Sequence, residues 1–136
     1  AKMEIVIEHK LPICSFTFGI PPQEIISQLK EHQITTIGTA TTVAEAKQIE
    51  ESNMDVVVVQ GSEAGGHRGN FLHDTKESLI GLMSLIPQVQ DEVKIPIVAA
   101  GGIMDGRGLM AALVLGASAV QMGTAFLTTV ESGANK

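Results

Sequence analysis

The chain has no tryptophan and no tyrosine, and only four phenylalanines. Proteins that grip single-stranded nucleic acid usually stack bases on aromatic rings, so that class is disfavoured. The formal charge is −6 with no basic stripe, which also argues against a nucleic-acid partner. Cys14 is the single cysteine, so no intrachain disulfide can form and a reducing, cytoplasmic compartment is expected. Its neighbours Ile13, Ser15 and Phe16 make a strand pattern, in which a thiol reads as a small buried hydrophobe rather than a nucleophile. The opening AKMEIVIEHK is charged throughout and lacks the apolar centre of a signal peptide. His67 and His73 stand six apart with no other ligand-type residue at metal spacing, so no metal is expected. GxSxG, the GKS/T phosphate loop and a GxGxxG opening a helix are all missing. No charge falls between Arg107 and Glu131, long enough to suggest a membrane span. Gly116, Ser118, Gln121 and Gly123 interrupt it, and it reads better as a buried helix followed by a buried strand.

What is present points to a globular enzyme-like domain. With 136 residues, 44% hydrophobic and 18% charged, the chain is large enough for one real core. The residues suggest one organising stretch, Asp55 to Gly69 (DVVVVQGSEAGGHRG). Four valines suit a buried strand, and the glycine-rich, charged segment after them suits a functional loop at the carboxyl end of that strand.

The rest of the chain alternates around this stretch. Residues 2–9 read as the end of a helix. Leu11–Phe18 is a strand stopped by Gly19-Ile20-Pro21-Pro22, and Pro22 suits the first turn of a helix to about Glu31. Ile34–Gly38 is the next strand. Thr42 and Glu45 have capping-box spacing ahead of a helix whose apolar face is Val43, Ala46 and Ile49. Val56–Val59 is the third strand. A helix is expected around Lys76–Ser84, with Pro87 restarting one to about Val93. Ile95–Ala100 is the fourth strand, Gly106 to Leu115 a helix stopped by Gly116, and Ala119–Met122 the fifth strand. Strand and helix alternating with buried strands predicts a parallel α/β sheet, either doubly wound or part of a (β/α)8 barrel that five strands cannot close.

In both architectures ligands bind where the strands end. Three ends carry glycine: Gln60-Gly61, Gly101-Gly102 and Gly123-Thr124. The last two follow consecutive strands and could offer backbone N–H groups to one anion, with the Thr124 hydroxyl as a further donor. Taken singly, each is equally a tight turn. His67, between Gly66 and Arg68, is the candidate proton carrier or ligand contact. Glu63 and Arg68 read as loop-stabilising or surface charges, and Arg107 as a helix surface group. Gln60 and Gln121 either aim amides into a site or satisfy neighbouring loops. His9, His32 and His73 read as surface histidines.

SFTFGIP at Ser15–Pro21, QGSEAGGHRG at Gln60–Gly69, IPIVAAGGIMDGRG at Ile95–Gly108 and LGASAVQMGTAF at Leu115–Phe126 together resemble the nitronate monooxygenase family, once called 2-nitropropane dioxygenases. The resemblance runs over essentially the whole chain. It implies an FMN-binding TIM barrel that oxidises alkyl nitronates with molecular oxygen to a carbonyl compound and nitrite. Carried over motif by motif, it makes His67 the base or proton donor beside the flavin. Gln60, Gly65 and Gly66 would line the flavin. Gly101, Gly102, Gln121, Met122, Gly123 and Thr124 would hold its phosphate and ribityl end. The chain aligns with barrel strands four to eight, so residues 1–136 are expected to form a single partial TIM-barrel domain that folds poorly alone or self-associates. Two alternatives share these motifs. One is an FMN-dependent enoyl-acyl carrier protein reductase using NAD(P)H. The other is a non-catalytic half barrel.

Overall fold

The computed structural model describes residues 2–72 and 74–133, so His73 lies outside the described residues. Helix α1 (Lys2–Glu8) precedes strand β1 (Ile13–Phe16). Then follow α2 (Gln23–Glu31), β2 (Thr35–Ala40), α3 (Val43–Glu51) and β3 (Val56–Gln60). Next come α4 (Leu82–Glu92), β4 (Ile97–Ala100), α5 (Gly106–Val114), β5 (Ala119–Gln121), α6 (Thr124–Leu127) and a 3-10 turn at Val130–Ser132.

Each strand pairs in parallel with the next strand of the chain, so the order is β1-β2-β3-β4-β5. A doubly wound sheet reverses its order at a switch point, and this one does not. Right-handed crossovers that always advance one strand in the same direction put every connecting helix on one face. That is a segment of a (β/α)8 barrel, an α/β fold with five of the strands.

The two sheet faces are packed unequally. Val57, Val59, Ile97 and Ala99 point at the helices and join Ile26, Ile49, Leu85, Ile86 and Val89 in one core. Each of the valine, isoleucine and leucine side chains among them gains roughly 1.5–3 kcal/mol from burial. Gly38 lets α3 close on β2, since a Cβ there would stand 2.9 Å from Ile49 Cδ1. On the other face, Ile37 lies beside Val56, and Val58, Val98 and Ala119 form a row in register. This face is more open: Ala119 is exposed and Ile13, on the edge strand, is 53% exposed.

Local chemistry sets the helix starts. The Thr42 hydroxyl accepts the Glu45 N–H at 3.2 Å, and the Asp105 carboxylate accepts the Arg107 N–H at 2.9 Å. The helix expected over Lys76–Ser84 is not there. Residues 75–78 form turns, with Asp74 Oδ1 accepting the N–H groups of Lys76 and Glu77 at 3.0 and 3.2 Å. A single helix starts at Leu82 and runs through Pro87 to Glu92, rather than restarting at the proline. Strand ends also shift: Pro96 stays outside β4, and Pro22 caps α2 rather than entering it.

Candidate active site

The carboxyl ends of β3, β4 and β5 open into one cleft of about 390 Å³. Gln60, Ala100 and Gln121 lie side by side in register and form its floor. The loop after β3 supplies Glu63, Ala64, Gly65 and Gly66 to one wall. The turn after β4 supplies Gly101 to Met104, and the turn after β5 supplies Met122, Gly123 and Thr124. Every residue assigned from sequence to cofactor binding therefore meets in this cleft. His67 does not line it. It stands one residue beyond Gly66 on the rim, exposed, with its ring edge-to-face with Phe18 at 6.3 Å between centroids.

Side chains wire the histidine loop in place. Gln60 Nε2 donates to the His67 carbonyl at 3.0 Å, and Gln60 Oε1 accepts the Gly69 N–H at 2.8 Å. One strand-end amide thus clasps the loop on both sides of Arg68. The Arg68 guanidinium donates to the Gly61 carbonyl at 2.7 Å and to the Ser78 carbonyl and hydroxyl. Burial pulls its pKa down, against the raising effect of Glu45 and Glu63. Both Glu63 oxygens accept the Leu82 N–H at 3.0 Å, which places a carboxylate at the start of α4 where the helix dipole favours it. Arg68 and Glu63 are loop-stabilising, as their setting in the sequence suggests.

The strongest anchor is one that the local sequence pattern only half revealed. Glu45 is fully buried. Its Oε2 accepts the Thr41 N–H and hydroxyl, both at 2.7 Å, and its Oε1 accepts the N–H groups of Phe71 and Leu72 at 2.6 and 3.0 Å. Burial alone would raise its pKa, but these four donors hold it below the usual glutamate value. The capping spacing with Thr42 is legible in the sequence. The reach to Phe71, 26 residues on, is not.

Backbone conformation, rather than side chains, builds the opposite wall. Gly101 has φ +125°, and a Cβ there would come within 3.1 Å of the Ala64 nitrogen. A Cβ on Gly65 would meet Thr124 Oγ1 at 2.9 Å, so the β3 loop and the β5 turn nearly touch. At Gly66 and Gly123 a Cβ would meet nothing within 4 Å, so at both the main chain borders open space. The lining contains no lysine or arginine. Its polar groups are main-chain amides, the Thr124 hydroxyl, the Gln60 and Gln121 side chains and the Glu63 carboxylate, which is turned to the Leu82 N–H; the amides and the hydroxyl are the donors that fit an anionic group.

Cys14 is half-buried rather than buried as expected, and that partial burial raises its thiol pKa. Arg107 is exposed and pairs with Asp105 at 2.5 Å on the start of α5. His9 and His32 are exposed. Among the described residues no group of His, Cys, Asp and Glu could hold a metal, and no helix is long and apolar enough to cross a membrane.

The sequence model of the nitronate monooxygenase family matches residues 1–136. The chain belongs to the nitronate monooxygenase family. A probable nitronate monooxygenase from Staphylococcus haemolyticus is 64% identical over 136 residues, covering 98% of this chain and 38% of that relative. Among solved structures, nitroalkane oxidase from Streptomyces ansochromogenes superposes with a TM-score of 0.92 at 46% identity, covering 98% of this chain and 39% of that one. FabK from Thermotoga maritima follows with a TM-score of 0.80 at 38% identity, covering 94% of this chain and 38% of that one. The chain thus spans well under half the length of these three proteins.

Proposed function

We propose that the protein to which this chain belongs oxidises alkyl nitronates with molecular oxygen, using FMN, to a carbonyl compound and nitrite. The observation that carries this reading is the meeting of two glycine-built turns with a histidine loop at one barrel rim. Gly65, Gly101 and Gly102 let the loops close on one another, the bare backbone of Gly66 and Gly123 lets a phosphate-bearing group approach closely, and the N–H groups around Met122 and Gly123 with the Thr124 hydroxyl hold its anionic end. Gln121 and Gln60 line the floor beneath it, with Gln60 also fixing the loop. When bound, FMN supplies the electron acceptor between nitronate and oxygen. An imidazole nitrogen of His67 takes the proton from the carbon next to a nitro group, or, protonated, donates to a nitronate oxygen. Phe18 on one side and the Gln60 clasp on the other restrict where that imidazole can point.

The test is made on the full-length protein. Its visible spectrum should show a flavin band. Nitrite should appear in air from an alkyl nitronate, without NADH consumption on an enoyl thioester. A protein that holds and takes up no flavin overturns the reading. NADH turnover without nitrite favours the reductase alternative. His67→Ala should keep the flavin and lose most activity on neutral nitroalkanes; full activity there removes the base assignment.

A further inference from the structure

Phe18 has a backbone that its place in the fold does not explain. Among the described residues, the non-glycine residues with positive φ are Lys10, Phe18, Gln33 and Asn53. Lys10, Gln33 and Asn53 each lie two residues past a helix, at the position where a left-handed residue commonly ends it. Phe18, at φ 69°, follows a strand instead. A bulky side chain in that region costs about 1–3 kcal/mol and persists only where the surroundings hold it. Here Thr17 Oγ1 meets Thr39 Oγ1 at 3.3 Å, tying the end of β1 to the end of β2, and Gly19 continues the turn at φ 126°.

This strained turn presents an apolar ring instead of burying it. Phe18 is 62% exposed, at the sheet end where barrel ligands bind. Gly69 explains why His67 reaches it. A Cβ at Gly69 would strike Thr39 Cγ2 at 2.9 Å and Thr17 Cγ2 at 3.1 Å, so only a bare backbone lets the loop lie across the ends of β1 and β2. The imidazole then stands perpendicular to the phenyl ring, at 89°.

We propose that Phe18 is the apolar wall of the substrate site and sets the preference for the length of the substrate's alkyl chain. The inference rests on the nitronate reading of the site. A nitronate whose polar head meets His67 has its carbon chain beside the group that touches His67, and that group is a phenyl ring. The wall therefore discriminates by methylene count.

The experiment uses the full-length flavin-loaded protein and the linear nitronates of nitroethane through 1-nitrohexane. In the wild type, kcat/KM should rise about fourfold per methylene along the ring, equivalent to about 0.8 kcal/mol per buried CH2. Phe18→Ala should flatten that rise to less than about 1.5-fold per methylene, through KM, on top of whatever loss a freer His67 imposes equally on every member of the series. Phe18→Trp, which fills the site, should cut the hexyl substrate at least tenfold more than the ethyl one. Histidine-labelled NMR of the same variants should show the His67 ring resonance shifted. Chain-length profiles parallel to wild type in either folded variant, or an unmoved His67 resonance, overturn the proposal. Wild-type protein that releases no nitrite from any of these nitronates defeats the parent reading and this one with it. Nitrite release with parallel profiles defeats this one alone.

Discussion

The two walls of the cleft are built by different means. The histidine wall is wired: Gln60, Arg68 and Glu45 reach out from a strand end, the loop itself and a helix start, and bind loop carbonyls and N–H groups. The glycine wall is conformational: Gly101 and Gly102 adopt φ +125° and +66°, and the turn after β5 comes within reach of Gly65. A wired wall should fail through lost hydrogen bonds, in a graded and pH-dependent way. A conformational wall should fail through an added methyl group.

The largest effect is expected where the wiring is buried. Glu45→Ala would leave three main-chain N–H groups and the Thr41 hydroxyl without their acceptor, and should cost about 3 kcal/mol or more in urea unfolding. A loss below about 1 kcal/mol would show that the loop does not depend on this anchor. Gly101→Ala comes next, at roughly 2 kcal/mol, from the positive φ and the approach to Ala64. It should also weaken flavin retention, whereas Glu45→Ala should first loosen the loop around Phe71 in hydrogen exchange. The same signature from both variants would erase the distinction between the walls.

The wired wall also predicts an acid response. The folded pKa of Glu45 lies below its ordinary value of 4.5, so the unfolded chain binds the proton first as pH falls. Its contribution is complete above pH 4.5 and is lost as pH drops below that toward the folded value. Asp55, held down by Thr36 and Lys30 against its own burial, acts in the same sense below its ordinary 3.8. Glu45→Gln should flatten the fall of stability below pH 4.5. An unchanged acid profile would mean that this carboxylate is not what acid attacks. A smaller effect is expected at Gln60→Ala, about 1–2 kcal/mol for the two clasp bonds. Smallest is Arg107→Ala, which should leave the melting temperature unchanged because its partner Asp105 is also on the surface.

Much of the conformational wall is legible in the sequence, because glycine at a strand end reports its own requirement. Gly101-Gly102 and Gly123-Thr124 are readable as paired turns before any coordinate. The wiring is less legible, because its partners are distant in the chain. Glu45 reads as a capping residue, and nothing near it signals Phe71 and Leu72. The start of α4 is hidden for the same reason. Lys76–Ser84 has adequate helix formers, but Asp74 folds its beginning into turns, and the carboxylate of Glu63 meets the chain at Leu82. The edge-to-face pair of Phe18 and His67 needs a loop to cross two strand ends, which local periodicity does not encode.

The strand order has a consequence for how this chain reaches its fold. Partners in the sheet are successive strands, so each pairing closes a short stretch of chain, and strands can join in the order of their synthesis. The exception is the step from β3 to β4, where the intervening chain is roughly twice as long. Doubling a loop adds only about 0.6 kcal/mol of closure entropy. The long segment after β3 is therefore a minor burden on assembly, and its length can be set by the cleft it encloses.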